Sequence, residues 1–214
     1  MKKILVTCFD PFDGALVNPS QLVLEKLTTE IEGVTIIKQV VPTVFKKSID
    51  VLYKALDEHQ PDAVLCVGQA GGRTHMTVER VAINVDDARI KDNEGNQPVD
   101  TPIFAEGAPA YFASLPIKAM VDDCNKSGVP ASISNTAGTF VCNHLMYAAC
   151  HYAATKRPEL KAGFVHIPFA PEQTTDKATM PSMAIDTMLA GVESFLKTII
   201  NVKEDIKVTG GAEH

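Results

Sequence analysis

The sequence lacks a long hydrophobic run and lacks any block of like charge. None of its 214 residues falls in an apolar stretch near the length that a membrane span requires. The formal net charge is −6, with charges of both signs dispersed along the chain. We therefore expect neither a membrane nor a nucleic acid as partner.

The cysteines also lack the spacing that is typical of disulfide frameworks and zinc sites. They are odd in number and scattered, without a C-x-x-C or C-x-x-H motif: Cys8, Cys66, Cys124, Cys142 and Cys150. The opening Met1-Lys2-Lys3 leads into an apolar segment that is too short for a signal-peptide core. We expect reduced thiols, no metal site and a cytoplasmic location.

Apolar segments of strand length alternate with amphipathic segments. This alternation predicts a sheet covered by helices on both faces, in one three-layer α/β/α domain over residues 1–214. The expected sheet is mixed and mostly parallel, of the phosphorylase or hydrolase type, and a polar tail begins at about residue 202. Strands are predicted at residues 3–9, 34–41, 63–67, 77–84, 131–134 and 163–167. Helices are predicted at residues 21–30, 45–59, 116–127, 139–156 and 181–200, and a polar loop at residues 86–101.

Cys142 is a candidate nucleophile because it lies at the start of the predicted helix at residues 139–156. Thr139 is a suitable N-cap, which would place Cys142 in the first turn, where free N–H groups and the helix dipole stabilise a thiolate. A nucleophilic cysteine needs a lowered thiol pKa. The alternative interpretation is that Cys142 is an unreactive cysteine buried in the core. The presence of His166 favours the interpretation of Cys142 as a nucleophile, because His166 lies at the end of the predicted strand at residues 163–167 and can serve as a base.

Glu79 is the candidate third group. A partly buried carboxylate can hold the imidazole tautomer and stabilise the imidazolium, although a structural ion pair with Arg80 is the alternative. His144 competes with His166 as base, but it lies two residues from Cys142 on the same helix and points to another face, so we expect a structural role. The remaining histidines have no comparable setting: His59, His75, His151 and His214.

The segment GQAGGR at residues 68–73 follows a predicted strand but does not match a phosphate-binding loop. Its glycine spacing fits neither the dinucleotide fingerprint nor the Walker A motif, and no helix follows it. We interpret it as a tight turn that lets backbone amides approach a ligand.

Several blocks of the sequence resemble those of the pyroglutamyl peptidase I family, in the same order and across nearly the whole chain. They are LVTCFDPFDG at 5–14, NPS at 18–20, GQAGGR at 68–73, VERVAIN at 78–84, DNEG at 92–95, AGTFVCN at 137–143 and FVHIP at 164–168. The resemblance implies a cysteine exopeptidase that removes N-terminal pyroglutamyl residues from peptides through an acyl-enzyme, without a cofactor. It also implies that Cys142 is the nucleophile, that His166 is the base and then the acid, that Glu79 orients His166, and that a homo-tetramer forms.

Pyroglutamate is an uncharged lactam, so its pocket needs apolar walls and a few backbone partners. The resemblance assigns the walls to Phe9, Phe12, Phe140 and Val141. It assigns a backbone contact with the ring to Gln69. Arg89 stands where the family carries an active-site arginine, and it is expected to support the oxyanion.

Cys8 and Asp13 stand where the family has glycine. Cys8 is expected to shift the end of the strand beside Phe9. Asp13 tolerates a left-handed backbone, but its charge is expected to raise the pKa of Cys142 and to reduce activity. Two alternatives follow: a non-catalytic or weakly active pyroglutamate-binding homologue, and a nucleoside-phosphorylase-like enzyme built on a related α/β architecture.

Overall fold

A computed structural model describes residues 1–211 of the chain. The strands are β1 Lys3–Phe9, β2 Glu30–Ile31, β3 Val34–Val41, β4 Ala63–Gln69, β5 Met76–Glu79, β6 Val81–Ile83, β7 Ala110–Phe112, β8 Ala131–Ser134 and β9 Lys161–Ile167. The helices are α1 Pro19–Lys26, α2 Lys47–His59, α3 Ile117–Lys126, α4 Val141–Thr155 and α5 Ile185–Asn201, with a 3-10 turn at Pro171–Gln173. His214, for which the sequence offered no role, lies outside the described residues.

Seven strands form one sheet in the order β2-β3-β1-β4-β9-β5-β8. Strands β3, β1, β4 and β9 run parallel to one another. Strand β5 pairs antiparallel with β9 and parallel with β8, and β2 is antiparallel at the other edge. The predicted mixed, mostly parallel sheet is confirmed.

Two hydrophobic clusters cover the two faces of this sheet. One packs α1, α3 and α5 against it through residues such as Val23, Met120 and Phe195. The other packs α2 and α4 against it through residues such as Leu52 and Leu145. Because burial of these apolar faces is the main stabilising contribution, the helices are fixed in two outer layers. The predicted three-layer arrangement is confirmed.

Helix α4 is buried on most of its surface, including Val141 and residues 143–150. It lies between the large sheet, helix α2 and the small sheet that β6 and β7 form. Its amphipathic pattern is therefore weak, as expected for a helix with partners on several sides. Within residues 1–211, neither this helix nor any other combines the length and the hydrophobicity of a membrane span.

The strand predicted at residues 77–84 is two strands in two different sheets. β5 ends at Glu79 in the large sheet, whereas β6 begins at Val81 and pairs with β7, which the sequence did not indicate. The break is at Arg80, whose N–H donates to the Ser134 carbonyl at 2.8 Å and whose carbonyl accepts from the Ala113 N–H at 2.9 Å. Alternating hydrophobicity continues through this break, so periodicity alone does not reveal it.

The other predicted elements agree with the structure to within a few residues, apart from the helix expected at residues 21–30. Helix α1 begins at Pro19, because the Asn18 side chain accepts a hydrogen bond from the Ser20 N–H at 3.0 Å. It ends at Lys26, and the chain then turns into β2.

The polar tail after α5 is held against α3 by an aspartate. Pro116 occupies the N-cap position of α3 and has no polar side chain to satisfy the first N–H groups. Asp205 takes that role, accepting hydrogen bonds from the Lys118 N–H at 3.0 Å and the Ala119 N–H at 2.9 Å. The tail therefore contributes to the fold although it contains no regular element up to residue 211.

We predict that Asp205→Ala lowers the free energy of unfolding by about 1 kcal/mol, the typical loss when a helix cap is removed. Urea denaturation followed by circular dichroism measures it. Glu204→Ala is the matched control, because Glu204 is an exposed carboxylate one residue earlier in the same tail. Equal stability of the two variants would contradict the capping role.

Candidate active site

The antiparallel pairing of β5 with β9 brings Glu79 and His166 together. Thr77 pairs with His166 and Glu79 pairs with Phe164 in this register. The Nδ1–H of His166 donates to Oε1 of Glu79 at 2.7 Å. Glu79 is 0% exposed and His166 is 3% exposed, so this pair lies out of water. Two of the residues that the sequence placed in one site therefore do meet.

Arg73 is the arginine that pairs with Glu79, although it was not predicted from the sequence as a site residue. Its Nη1 donates to Oε1 of Glu79 at 2.7 Å. The guanidinium of Arg80 binds the Gly210 carbonyl instead. The alternative of a structural ion pair between Glu79 and Arg80 is therefore wrong. The position of Arg73 at the end of the GQAGGR block is the signal that could have indicated it.

The two partners shift each other's pKa. Burial opposes the charge of Glu79, but the hydrogen bond and charge of His166, the charge of Arg73 and the Ser134 hydroxyl outweigh it, and the pKa of Glu79 is held below its ordinary value. Burial lowers the pKa of His166; Glu79 opposes this shift and Arg73 adds to it. At neutral pH the arrangement favours a neutral imidazole with its proton on Nδ1 and a free lone pair on Nε2.

Cys142 lies close to the same pair. It is the second residue of α4 and is half-buried, whereas the other four cysteines, all within the described residues, are buried. A Cβ built on Gly68 would lie 3.0 Å from its Sγ, so glycine lets the backbone of β4 approach the thiol. Gly68 is also the register partner of His166 in the β4–β9 pair. The expected nucleophile and base thus lie against the same strand position.

The start of α4 differs from the expectation in two respects. Phe140, not Thr139, occupies the N-cap position, and the Thr139 hydroxyl donates to the Asp87 carbonyl at 2.8 Å. Burial raises the pKa of Cys142 to about 12, the charge of Glu79 adds to this, and Arg73 opposes it. This direction is opposite to the predicted lowering of the thiol pKa, because burial disfavours the thiolate. It favours the protonated thiol at neutral pH.

Aromatic contacts connect one side of the expected pocket to the base. The Phe9 ring lies 6.3 Å from the Phe164 ring, and the Phe164 ring lies 4.8 Å from the His166 ring. Val141 is fully buried in the same hydrophobic cluster as Phe9, and Cys142 packs against that cluster. These three of the expected site residues therefore share one apolar environment.

Phe12 and Phe140 form the other side of this environment. Their rings are 6.2 Å apart, and the Phe45 ring meets Phe140 edge-on at 5.4 Å. Such tilted and edge-on contacts are the preferred aromatic geometries. Both Phe12 and Phe140 are partly exposed, so each presents a face that a ligand can contact.

His144 has the structural role expected for it. Its Nδ1–H donates to the Asp86 carboxylate at 2.8 Å, and its Nε2 accepts the Lys46 N–H at 2.9 Å. The Phe45 ring packs edge-on against it at 5.2 Å. Both ring nitrogens are thus used in supporting the segment beside the pocket. Among residues 1–211, no three His, Cys, Asp or Glu side chains converge as metal ligands.

Gln69 and Arg89 are the two remaining residues that the resemblance assigned to the site. The Oε1 of Gln69 accepts from the Gln173 Nε2 at 2.9 Å, which leaves the backbone of Gln69 at the end of β4 for a ligand. Arg89 is exposed, and its guanidinium forms no hydrogen bond or ion pair within residues 1–211. The expected role of Arg89 at the oxyanion therefore stays a prediction, whereas Arg73 is the arginine that contacts Glu79.

The polar loop at residues 86–101 holds the turn that follows β1. Its Asn93 Nδ2 donates to the Pro11 carbonyl at 2.9 Å, and Asp10 in the same turn accepts the Thr43 N–H at 2.7 Å. The loop itself is fixed by Asp92, which is buried and accepts N–H groups of the following residues at 2.9 and 2.8 Å. The DNEG block is thus a support for the pocket turn.

The two unusual residues, Cys8 and Asp13, are accommodated. Cys8 is buried in β1, and the pairing of β1 with β3 continues unbroken through Phe9. Asp13 is exposed and adopts the left-handed backbone expected of it, with φ 53°. The groups that shift the pKa of Cys142 are its burial, Glu79, Arg73 and Cys66. The expected effect of Asp13 on that pKa is therefore wrong.

Comparison with known proteins identifies close relatives. A family profile described as pyroglutamyl peptidase matches residues 2–202. The pyrrolidone-carboxylate peptidase of Alkaliphilus oremlandii (strain OhILAs) is 59% identical over 210 residues, which cover 98% of this chain and 99% of that protein. The pyrrolidone-carboxylate peptidase of Streptococcus pyogenes serotype M12 (strain MGAS2096) is 56% identical over 214 residues, covering 99% and 100%.

Solved structures agree with these sequence matches. The pyroglutamyl peptidase I of Bacillus amyloliquefaciens superposes with a TM-score of 0.95 at 47% identity, over 97% of this chain and 99% of that one. A mutant pyrrolidone carboxyl peptidase of Pyrococcus furiosus superposes with a TM-score of 0.90 at 39% identity, over 92% and 98%. The fold and the sequence point to the same relatives.

We predict that iodoacetamide labels Cys142 before the other four cysteines, because burial shields those four. Since the pKa of Cys142 is raised, its labelling rate should still be increasing with pH above neutrality. Mass spectrometry after partial reaction identifies the labelled peptide, and Cys142→Ser is the control. First labelling of Cys8 or Cys124 would contradict the accessibility that the structure gives to Cys142.

Proposed function

The chain belongs to the pyroglutamyl peptidase family, and from that premise we propose that Cys142 is its nucleophile, His166 its general base and Glu79 the carboxylate that orients His166. The enzyme is a cysteine peptidase that removes N-terminal pyroglutamyl residues from peptides. The observation that carries the assignment of roles is the 2.7 Å hydrogen bond between His166 and a fully buried Glu79. Family membership favours neither the binding-only nor the phosphorylase-like alternative.

Acylation starts from a protonated thiol. Nε2 of His166 takes the proton of Cys142 as the sulfur attacks the pyroglutamyl carbonyl carbon, and the carbonyl electron pair moves to the oxygen. Glu79 stabilises the imidazolium that forms. The tetrahedral intermediate collapses by breaking the C–N bond, and His166 gives the proton to the departing amine. The products are a thioester on Cys142 and a peptide shortened by one residue.

Deacylation uses the same groups with water as the nucleophile. Nε2 of His166 removes a proton from water while its oxygen attacks the thioester carbonyl. The C–S bond breaks, the sulfur of Cys142 recovers the proton from His166, and free pyroglutamate departs. No cofactor enters either step as we propose them.

We assign stabilisation of the oxyanion to the first backbone N–H groups of α4. The His144 N–H bonds the Phe140 carbonyl at 3.1 Å and begins the hydrogen-bond ladder of the helix. The N–H groups of Val141 and Cys142 precede it, and such groups have no partner inside a helix. They lie next to the sulfur, and Arg89, which the resemblance assigns to the same role, is a second proposed donor.

We assign recognition of the pyroglutamyl ring to the apolar walls around these groups. The ring carries one N–H, one carbonyl and two methylenes, so apolar side chains and a few backbone partners suit it. The walls are Phe9, Phe12, Phe140 and Val141. The backbone of Gln69 is the proposed hydrogen-bonding partner, since its side chain is bound to Gln173.

We also propose a cytoplasmic location and a homo-tetramer. All five cysteines are free thiols, which suits a reducing compartment.

The small sheet presents an apolar surface that supports the proposed homo-tetramer. Val81 pairs with Phe112, so Val81, Ile83 and Phe112 share the outer face of this sheet, and Phe112 is 72% exposed. Such an exposed apolar group favours a subunit contact. Light scattering tests it: a mass four times 23.1 kDa is expected, and a monomeric mass would refute it.

We predict that the protein releases the fluorophore from a pyroglutamyl amide, and that Cys142→Ser lowers kcat by roughly a thousandfold or more. His166→Ala should lower kcat much more than it raises KM, because the pocket walls remain. The rate should not depend on phosphate. Wild-type activity in Cys142→Ser would refute the assignment of the nucleophile, and a phosphate requirement would revive the phosphorylase-like alternative.

We predict that Glu79→Gln lowers kcat and moves the acid limb of kcat/KM to lower pH. Glu79 raises the pKa of His166, so its loss lets burial lower that pKa further. The pH profile of kcat/KM measures both effects. Asp13→Asn is the control, because it removes an exposed carboxylate from the turn beside Phe12. A limb that moves equally in both variants would contradict the specific role of Glu79.

A further inference from the structure

We propose that Arg73 is a positioning residue of this active site, which holds Glu79 against His166 and sets the pH range in which His166 acts as a base. This inference rests on the proposed catalytic roles of Cys142, His166 and Glu79.

The guanidinium of Arg73 connects the orienting carboxylate with the segment that leads to the nucleophile. Nη1 donates to Oε1 of Glu79 at 2.7 Å and also to the Thr77 hydroxyl. Nη2 donates to the Thr136 carbonyl at 3.3 Å. Residues 137–141 then lead directly to Cys142. A planar, forked cation is suited to fixing several acceptors at once, which a lysine ammonium does less well.

Arg73 and His166 share one oxygen atom. Both the Nη1 of Arg73 and the Nδ1 of His166 donate to Oε1 of Glu79, each at 2.7 Å. A buried carboxylate needs such donors to remain ionised. Because Arg73 is bound to the same oxygen, its positive charge partly neutralises the negative charge that Glu79 presents to the imidazole. Arg73 thus supports the carboxylate and moderates its effect on the base.

The side chain of Arg73 lies at the boundary between this buried pair and solvent. It is 27% exposed, whereas Glu79 is 0% exposed. Its outer side borders a cavity of about 540 Å³ whose walls include Thr74, His75 and Ser132. Arg73 therefore keeps part of its hydration while neutralising a carboxylate that has lost its own. This position makes a charged pair tolerable at the edge of the core.

The charge of Arg73 acts on all three reacting groups. Its contribution to the pKa of Glu79, of His166 and of Cys142 is a lowering in each case, although burial raises the pKa of Cys142 overall. The titratable groups around His166 are Glu79 from β5, Arg73 from the turn before β5 and Cys142 from the start of α4. His75 lies beyond Arg73, on the wall of the cavity, where it is bound to Ser132 and Thr74.

The test compares the pH profiles of kcat/KM for Arg73→Met and Arg73→Lys in the pyroglutamyl amide assay. In Arg73→Met we expect the acid limb to move up by about one pH unit. The acid limb moves up in either of two cases. If it reports His166, loss of the neighbouring cation raises the pKa of the imidazole; if it reports Glu79, the same loss raises the pKa of the carboxylate. We expect kcat to fall about tenfold with KM changed less than about twofold, because the residue acts through Glu79 and not on the substrate.

Arg73→Lys keeps the charge and should restore most of the wild-type profile. Arg80→Met is the matched control, because Arg80 adjoins Glu79 in sequence but binds Gly210; its acid limb should stay in place. If Arg73→Met does not fold, Arg73→Gln takes its place in the comparison. An acid limb that stays fixed or moves down would overturn the proposal, even if the rate falls.

Cys142→Ser in the same assay separates this proposal from the function on which it rests. Activity retained in Cys142→Ser would refute the catalytic assignment itself. An inactive Cys142→Ser together with an unmoved limb in Arg73→Met would refute only the role of Arg73.

Discussion

The hydrogen bond between His166 and Glu79 is formed where the sheet changes direction, and the active site depends on it. Strands β1, β3, β4 and β9 are parallel, and β5 enters antiparallel beside β9. This reversal sets a carboxylate from β5 against a histidine from β9 in the interior. A buried carboxylate is costly unless it is paired, so the turn that carries Arg73 is required beside it.

Burial also affects the proposed nucleophile. It raises the pKa of the Cys142 thiol and so favours the protonated form. The proposed mechanism therefore depends on a base that is neutral at working pH, and burial favours the neutral form of His166 by lowering its pKa. In that mechanism Glu79 matters most after proton transfer, when it stabilises the imidazolium. The charge of Arg73 opposes the effect of Glu79 on the pKa of His166.

Much of the site could be predicted from the sequence, because Cys142 and His166 each stand at an element boundary that periodicity reveals. Glu79 was identifiable as a buried acid in an apolar segment and as the partner of His166, but its arginine partner was not. The neighbouring Arg80 turns away where the strand breaks, and Arg73 reaches Glu79 through a turn whose path depends on tertiary contacts. The thiol pKa was mispredicted for a related reason: local sequence shows the helix start, whereas desolvation is a property of the packed core.

The ring nitrogens of His166 provide the most direct test of this account, which holds that an ionised Glu79 fixes the histidine tautomer. In protein labelled with ¹⁵N-histidine, NMR shifts distinguish a protonated ring nitrogen from one with a free lone pair, and His166→Gln assigns the signal. Above the titration of His166, we expect the proton on Nδ1 and the lone pair on Nε2, and we expect this preference to weaken in Glu79→Gln. A proton on Nε2 in the wild-type protein would contradict the account, because His166 could then neither donate to Glu79 nor accept the proton of Cys142.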